Sequence, residues 1–94
     1  MTKKPDLERI KIVWQDPVLM QIGKSGVSEG VVKELDRLLK EHKYMKIRIL
    51  RSALDTGLSK EKLLETVCER TGAVLAGTRG NTAVIYRLKG KKSS

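Results

Sequence analysis

Gly23-Lys24-Ser25-Gly26 is the stretch of this chain with the plainest chemistry: two glycines three apart that enclose a lysine and a serine. Between a strand and a helix, such a turn can bring backbone amides, a hydroxyl and an ammonium to one anion, which is how a phosphate is held. The same spacing also serves any tight strand-to-helix turn that needs positive φ angles, so spacing alone leaves both readings open, and both glycines are expected to be needed for geometry under either. Further groups that could meet an anion are Lys46 and Arg48, alternating on one strand face, Arg79 and Asn81 in a turn, and Arg87 late on a strand. Each has an ordinary alternative: an exposed strand face, a turn residue, a partner for an acid.

Catalytic chemistry is harder to assemble. His42 and Cys68 are single residues of their type, so no Ser/His/Asp or Cys/His set can form from repeated candidates, and no histidine–cysteine cluster has metal-ligand spacing. Val18 stands where a Gly-x-x-x-x-Gly-Lys-Ser phosphate loop would need glycine. The carboxylates are scattered along helical stretches rather than grouped as a metal-dependent nuclease would require. No enzyme, metal or cofactor is expected. Cys68 reads as core and His42 as a helix-end residue, and Trp14 reads as packing rather than as a base-stacking ring.

The charge points to a partner. Twenty Lys and Arg against 11 Asp and Glu give +9 on 94 residues, an excess that favours a polyanion, nucleic acid before membrane or acidic protein. Trp14, Tyr44 and Tyr86 are the only aromatics, so a sheet reading bases on several rings is disfavoured and backbone or shape recognition remains. With no long apolar run and no apolar stretch behind Met1 to Pro5, neither a membrane span nor a signal peptide is indicated, and a soluble cytoplasmic protein is expected.

The elements that must position these groups can be read in order. Residues 1–16 form an N-terminal segment with a loose lead-in; Leu7, Ile10 and Trp14 recur as in a helix, whereas Ile10, Ile12 and Trp14 alternate as in a strand, and the window does not decide. Val18 to Ile22 reads as a first strand after Pro17. Ser28 caps a helix with the stripe Val31, Val32, Leu35, Leu38 and Leu39, running to about His42. Tyr44 to Leu50 is a second strand, with Met45, Ile47 and Ile49 on one face and Tyr44, Lys46 and Arg48 on the other. Arg51 to Leu58 is a connector with a turn at Asp55-Thr56-Gly57, and Ser59 caps a second helix ended by Gly72. Ala73 to Ala76 and Thr82 to Leu88 are third and fourth strands joined by Gly77 to Asn81, and residues 89–94 are a basic, disordered tail. The order β-α-β-α-β-β over residues 17–88 predicts an α/β two-layer sandwich with a four-stranded mixed sheet. If crossovers make the first three strands parallel, the Lys24 loop and the Arg79 turn share one rim, with Lys46 and Arg48 beside it.

Pro17 to Val31, Tyr44 to Ile49, Thr71-Gly72-Ala73 and Gly80 to Arg87 together resemble the CRM domain, named for chloroplast RNA splicing and ribosome maturation, whose stand-alone prokaryotic form is the YhbY family. The resemblance covers about Pro17 to Arg87, while Leu7 to Trp14 and Arg51 to Ser59 depart from the family pattern. It implies an RNA-binding domain similar to the C-terminal domain of translation initiation factor three, with Gly23 to Gly26 comparable to the loop by which KH domains hold an RNA backbone. The implied partner is ribosomal RNA precursor, in a pre-ribosomal particle during large-subunit maturation; separately from the resemblance, a monomer is expected. An alternative of another class is an Alba-like chromatin protein that coats DNA or RNA, since that family has a similar fold and is also basic.

Overall fold

A computed structural model describes residues 5–55 and 57–88; Met1 to Lys4, Thr56 and residues 89–94, where the lead-in, part of the connector turn and the tail were expected, lie outside the described residues. The chain runs α1 (Leu7–Gln15), β1 (Met20–Ile22), α2 (Glu29–His42), β2 (Tyr44–Ile49), α3 (Arg51–Leu54), α4 (Lys60–Thr71), β3 (Val74–Arg79) and β4 (Thr82–Tyr86). The sheet order is β1-β2-β4-β3, with β1 parallel to β2 and β4 antiparallel to both β2 and β3. Hence β1, β2 and β3 all run the same way, and the loops that leave them emerge at one end.

The two long helices start and stop where side-chain chemistry tells them to. Ser28 Oγ accepts from Val31 N at 3.3 Å and Ser59 Oγ from Lys62 N at 3.1 Å, each satisfying an amide that the first turn leaves without an intrahelical partner. Gly72 ends α4 with φ 76°, and Lys43 ends α2 with φ 64°, a left-handed angle uncommon outside glycine. Their apolar stripes, Leu35, Leu38 and Leu39 on α2 and Leu63, Leu64 and Val67 on α4, pack onto one face of the sheet against Ile22, Met45, Ile47, Ile49, Ala83 and Ile85.

The segment that the sequence left open is a helix, and it covers the opposite face. The Asp6 carboxylate caps α1 by accepting from Glu8 N at 3.0 Å and Arg9 N at 3.3 Å. Two β2 side chains then pin it at both ends: Tyr44 Oη accepts from Asp6 N at 2.7 Å, and Lys46 Nζ donates to Trp14 O at 2.9 Å. Val13 is buried with Tyr44 and Val84, with Ile10, Trp14, Ala76, Tyr86 and Leu88 around them. Burying Val13 contributes about 2 kcal/mol, and the charged hydrogen bond from Lys46 a similar amount. The expected two-layer sandwich therefore carries a partial third layer.

The hairpin is tighter than expected. Gly77, Thr78 and Arg79, read as turn, extend β3 to pair with Val84, Ala83 and Thr82, so only Gly80-Asn81 turns, Gly80 with φ 57°. A register shift between Leu75 and Gly77 places Ala76 as a bulge.

Candidate nucleic-acid interface

Registers across the sheet define which side chains stand together, because directly paired residues point to the same face. On the α1 face, Tyr44 pairs with Tyr86, and Tyr86 with Val74; next, Lys46 pairs with Val84, and Val84 with Gly77. Helix α1 packs along these two rows. One row further toward the shared end, Gln21 pairs with Arg48, Arg48 with Thr82, and Thr82 with Arg79. This third row crosses the sheet from edge to edge, three interstrand spacings or about 14 Å. Gln21, Arg48 and Arg79 are exposed and Thr82 is half-buried.

At the β1 end of the row the chain enters the glycine loop. Gly26 N donates to Gly23 O at 2.8 Å, closing a turn with Lys24 and Ser25 exposed at its centre. Gly26 has φ 67°, which a side chain would strain, although nothing lies within 4 Å of the place its Cβ would take. Gly23 differs: an added Cβ would stand 3.5 Å from Leu50 Cδ1 and 3.5 Å from Ser52 Oγ, an ordinary contact, at a φ open to any residue. The fold itself thus demands glycine at 26 and not at 23, where both had been expected to be geometric. Ser28 and Glu29 already occupy the positive end of α2, so an anion at this loop would rely on Lys24 and the turn amides rather than on the helix dipole.

The neighbouring turns are tied to the same rim. Leu50 N donates to Ile22 O at 2.9 Å and Ile49 N to Asn81 O at 2.7 Å, while Lys60 Nζ reaches Gly80 O at 2.6 Å. The Lys24 loop, the start of α3 and the Gly80-Asn81 turn are therefore joined through one continuous edge of backbone. At the β3 end, the Arg79 guanidinium carbon lies 4.5 Å from the centroid of the Trp14 ring, within cation–π range.

Two of the residues singled out in sequence stand elsewhere. Lys46 shares the face of Arg48, but its ammonium is half-buried and caps the last turn of α1 through Trp14 O. Arg87 is 6% exposed at the opposite end of the sheet, where its own N donates to Lys43 O; its guanidinium pairs with Asp36 Oδ1 at 2.5 Å and donates to Thr71 O at 2.7 Å and Asp36 O at 3.2 Å. Burial of a cation is tolerated only with such partners, and a side chain 4% exposed offers little surface to a phosphate. Sequence reasoning missed Gln21 and Thr82, whose place in the row depends on a register that no local pattern specifies.

A groove of about 410 Å³ between α4 and β3 opens on the other face, lined by Leu64, Cys68, Leu75 and Thr78 beneath Glu61, Glu65 and Glu69. Its three carboxylates disfavour a polyanion. Burial pushes the Cys68 thiol up, away from the thiolate form that a nucleophile needs. Among the described residues no group of three or more His, Cys, Asp or Glu could hold a metal, and no helix is long and apolar enough to cross a membrane.

Known proteins are similar to this chain in sequence, and a solved structure is similar to it in fold. A probable RNA-binding protein of Pseudomonas aeruginosa is 31% identical over 75 residues, spanning 80% of this chain and 68% of the relative. An RNA-binding protein of Haemophilus influenzae is 29% identical over 72 residues, 77% of this chain and 69% of that one. The solution structure of a hypothetical Staphylococcus aureus protein, provisionally described as RNA binding, superposes with a TM-score of 0.70 at 28% identity over 92% of this chain and 88% of its own. Residues 7–87 match the family model itself, α1 included, so the chain belongs to the CRS1 / YhbY (CRM) domain family.

Proposed function

We propose that this protein is a non-catalytic RNA-binding protein that holds structured RNA by its backbone, at the end of the sheet where β1, β2 and β3 finish. One observation carries the reading: the parallel strands bring the Gly23–Gly26 loop and the β3–β4 turn to the same rim, with Lys24, Arg48 and Arg79 exposed and in no ion pair among the described residues. Unpaired cations on a backbone-lined edge suit phosphates, and relatives named as RNA-binding proteins support RNA as the polyanion. Gly23 adds to this, since a position that the fold leaves open to a side chain, yet holds glycine, suits close approach by a partner. Ser25 and Asn81 flank the path as hydrogen-bond donors to phosphate oxygens, whereas Lys46 and Arg87 serve the fold.

The RNA we assign is large-subunit ribosomal RNA precursor. Recovery and sequencing of RNA crosslinked to the protein in its native host tests that assignment: enrichment of those precursors is expected, and unselected RNA would remove it. Competition between RNA and DNA of equal length and salt tests the broader reading. Contacts to 2′-hydroxyls predict that RNA wins. Equal or better binding of DNA would favour a chromatin-type coating role instead.

A further inference from the structure

Resting on that reading, we infer that Arg79 and Trp14 form a nucleobase-stacking subsite at the β3 edge of the rim, so that the RNA held there offers an unpaired base beside the backbone gripped by the Lys24 loop. The pieces are built for it. The Trp14 backbone is held by Lys46 Nζ on its carbonyl, and its ring lies against β3 at Gly77, where an added Cβ would stand 3.7 Å from Cζ2. Arg79 rests on this ring, is exposed, and has no carboxylate partner among the described residues. An arginine neutralised by an acid would be closed to RNA; one held over an indole keeps its charge and its donors, and a guanidinium plane is a surface on which bases stack. The row Arg79–Thr82–Arg48–Gln21 then leads across the sheet to the glycine loop. A strand bound along it would have its backbone at one edge and a base at the other.

Trp14 is the only tryptophan, so its fluorescence reports on the subsite directly. At low salt, single-stranded oligoadenylate RNA and an abasic ribose-phosphate oligomer of equal length are titrated into the full chain, both followed by labelled-ligand anisotropy and by Trp14 emission. We expect the oligoadenylate to bind at least about fivefold more tightly than the abasic chain, the lower end of what one stacked base contributes, and to change Trp14 emission saturably. Arg79→Lys, which keeps the charge and removes the plane, should narrow that gap, weakening oligoadenylate binding more than abasic binding; an unchanged gap would overturn the subsite. Equal affinity for the two oligomers with unchanged Trp14 emission would overturn the subsite and leave backbone binding standing. Failure of both oligomers to bind under conditions where a structured RNA hairpin binds would overturn the subsite alone; failure of the hairpin as well would remove the RNA-holding reading.

Discussion

The two ends of the sheet treat the same kind of side chain in opposite ways. At the far end Arg87 is 6% exposed and locked to Asp36 and Thr71, closing the join between β4, α2 and α4. At the rim Arg48 and Arg79 are exposed, and the contact recorded for Arg79 is with an aromatic ring rather than an acid. The difference lies in what packs nearby: helices that cover the core face bring a carboxylate to Arg87, while α1 meets the outer row with the Trp14 ring, which carries no charge. A net charge of +9 therefore says little until its cations are sorted into those already satisfied by the fold and those left for a partner.

The contrast can be broken from either side. The largest effect should come from Arg87→Ala, which leaves Asp36 without its buried cation and should cost about 3 kcal/mol in denaturant unfolding. RNA affinity of the folded fraction and its salt slope should stay as in the wild type; a lost salt slope would make Arg87 an RNA contact after all. Lys46→Met removes a charged hydrogen bond from α1 and should lower stability by about 1.5 kcal/mol, again with an unchanged salt slope. The two loop glycines should separate. Gly26→Ala forces a side chain to φ 67° and should cost about 1 kcal/mol of stability, whereas Gly23→Ala should stay within about 0.5 kcal/mol yet weaken RNA binding. Equal stability losses would mean that both glycines serve only the turn. Lys24→Ala should leave unfolding within about 0.5 kcal/mol and weaken different RNAs alike, reducing the slope of log K against log salt by about 0.7 to 0.9.

The smallest effect concerns the solvent-exposed pairs of α2. The Arg37 guanidinium, hydrogen-bonded to Glu34, holds that carboxyl below the usual carboxylate range. Because the folded value is the lower one, the stabilisation is present at neutral pH and is lost as pH falls through it. Wild type and Glu34→Gln should therefore differ slightly at pH 7 in thermal unfolding and converge in acid; a gap that widens in acid would reverse the sign.

Much of this was legible locally. Ser28 and Ser59 as caps, the Leu35-Leu38-Leu39 stripe and the alternation of Tyr44 to Ile49 each specify their element through nearby residues, and the strand directions follow from the crossovers. α1 was not legible from either apolar spacing, because Leu7 and Ile12, one in each, are 69% and 51% exposed, while the buried residue is Val13. Its better signals are the Asp6 cap with Glu8 in the first turn and the triplet Ile10, Val13, Trp14 at helical spacing. Gly77 misled in a similar way: it looks like a breaker, but β4 supplies a ladder partner and carries the strand on to Arg79. At the site, the loop was readable from its glycines. What could not be read were pairings across long separations: Arg87 meets Asp36 51 residues away, and Lys46 meets Trp14 32 residues away, so one basic residue on each strand looked as available as Arg48.

The most direct measurement is a titration of isotope-labelled protein with RNA, followed by backbone amide NMR shifts. The account predicts that shifts cluster at Gln21, Gly23 to Gly26, Arg48 and Arg79 to Thr82, and that Asp36, Arg87 and the Glu61, Glu65, Glu69 stripe stay still. Shifts concentrated at the Arg87 end or in the α4–β3 groove, with the glycine loop unmoved, would contradict it.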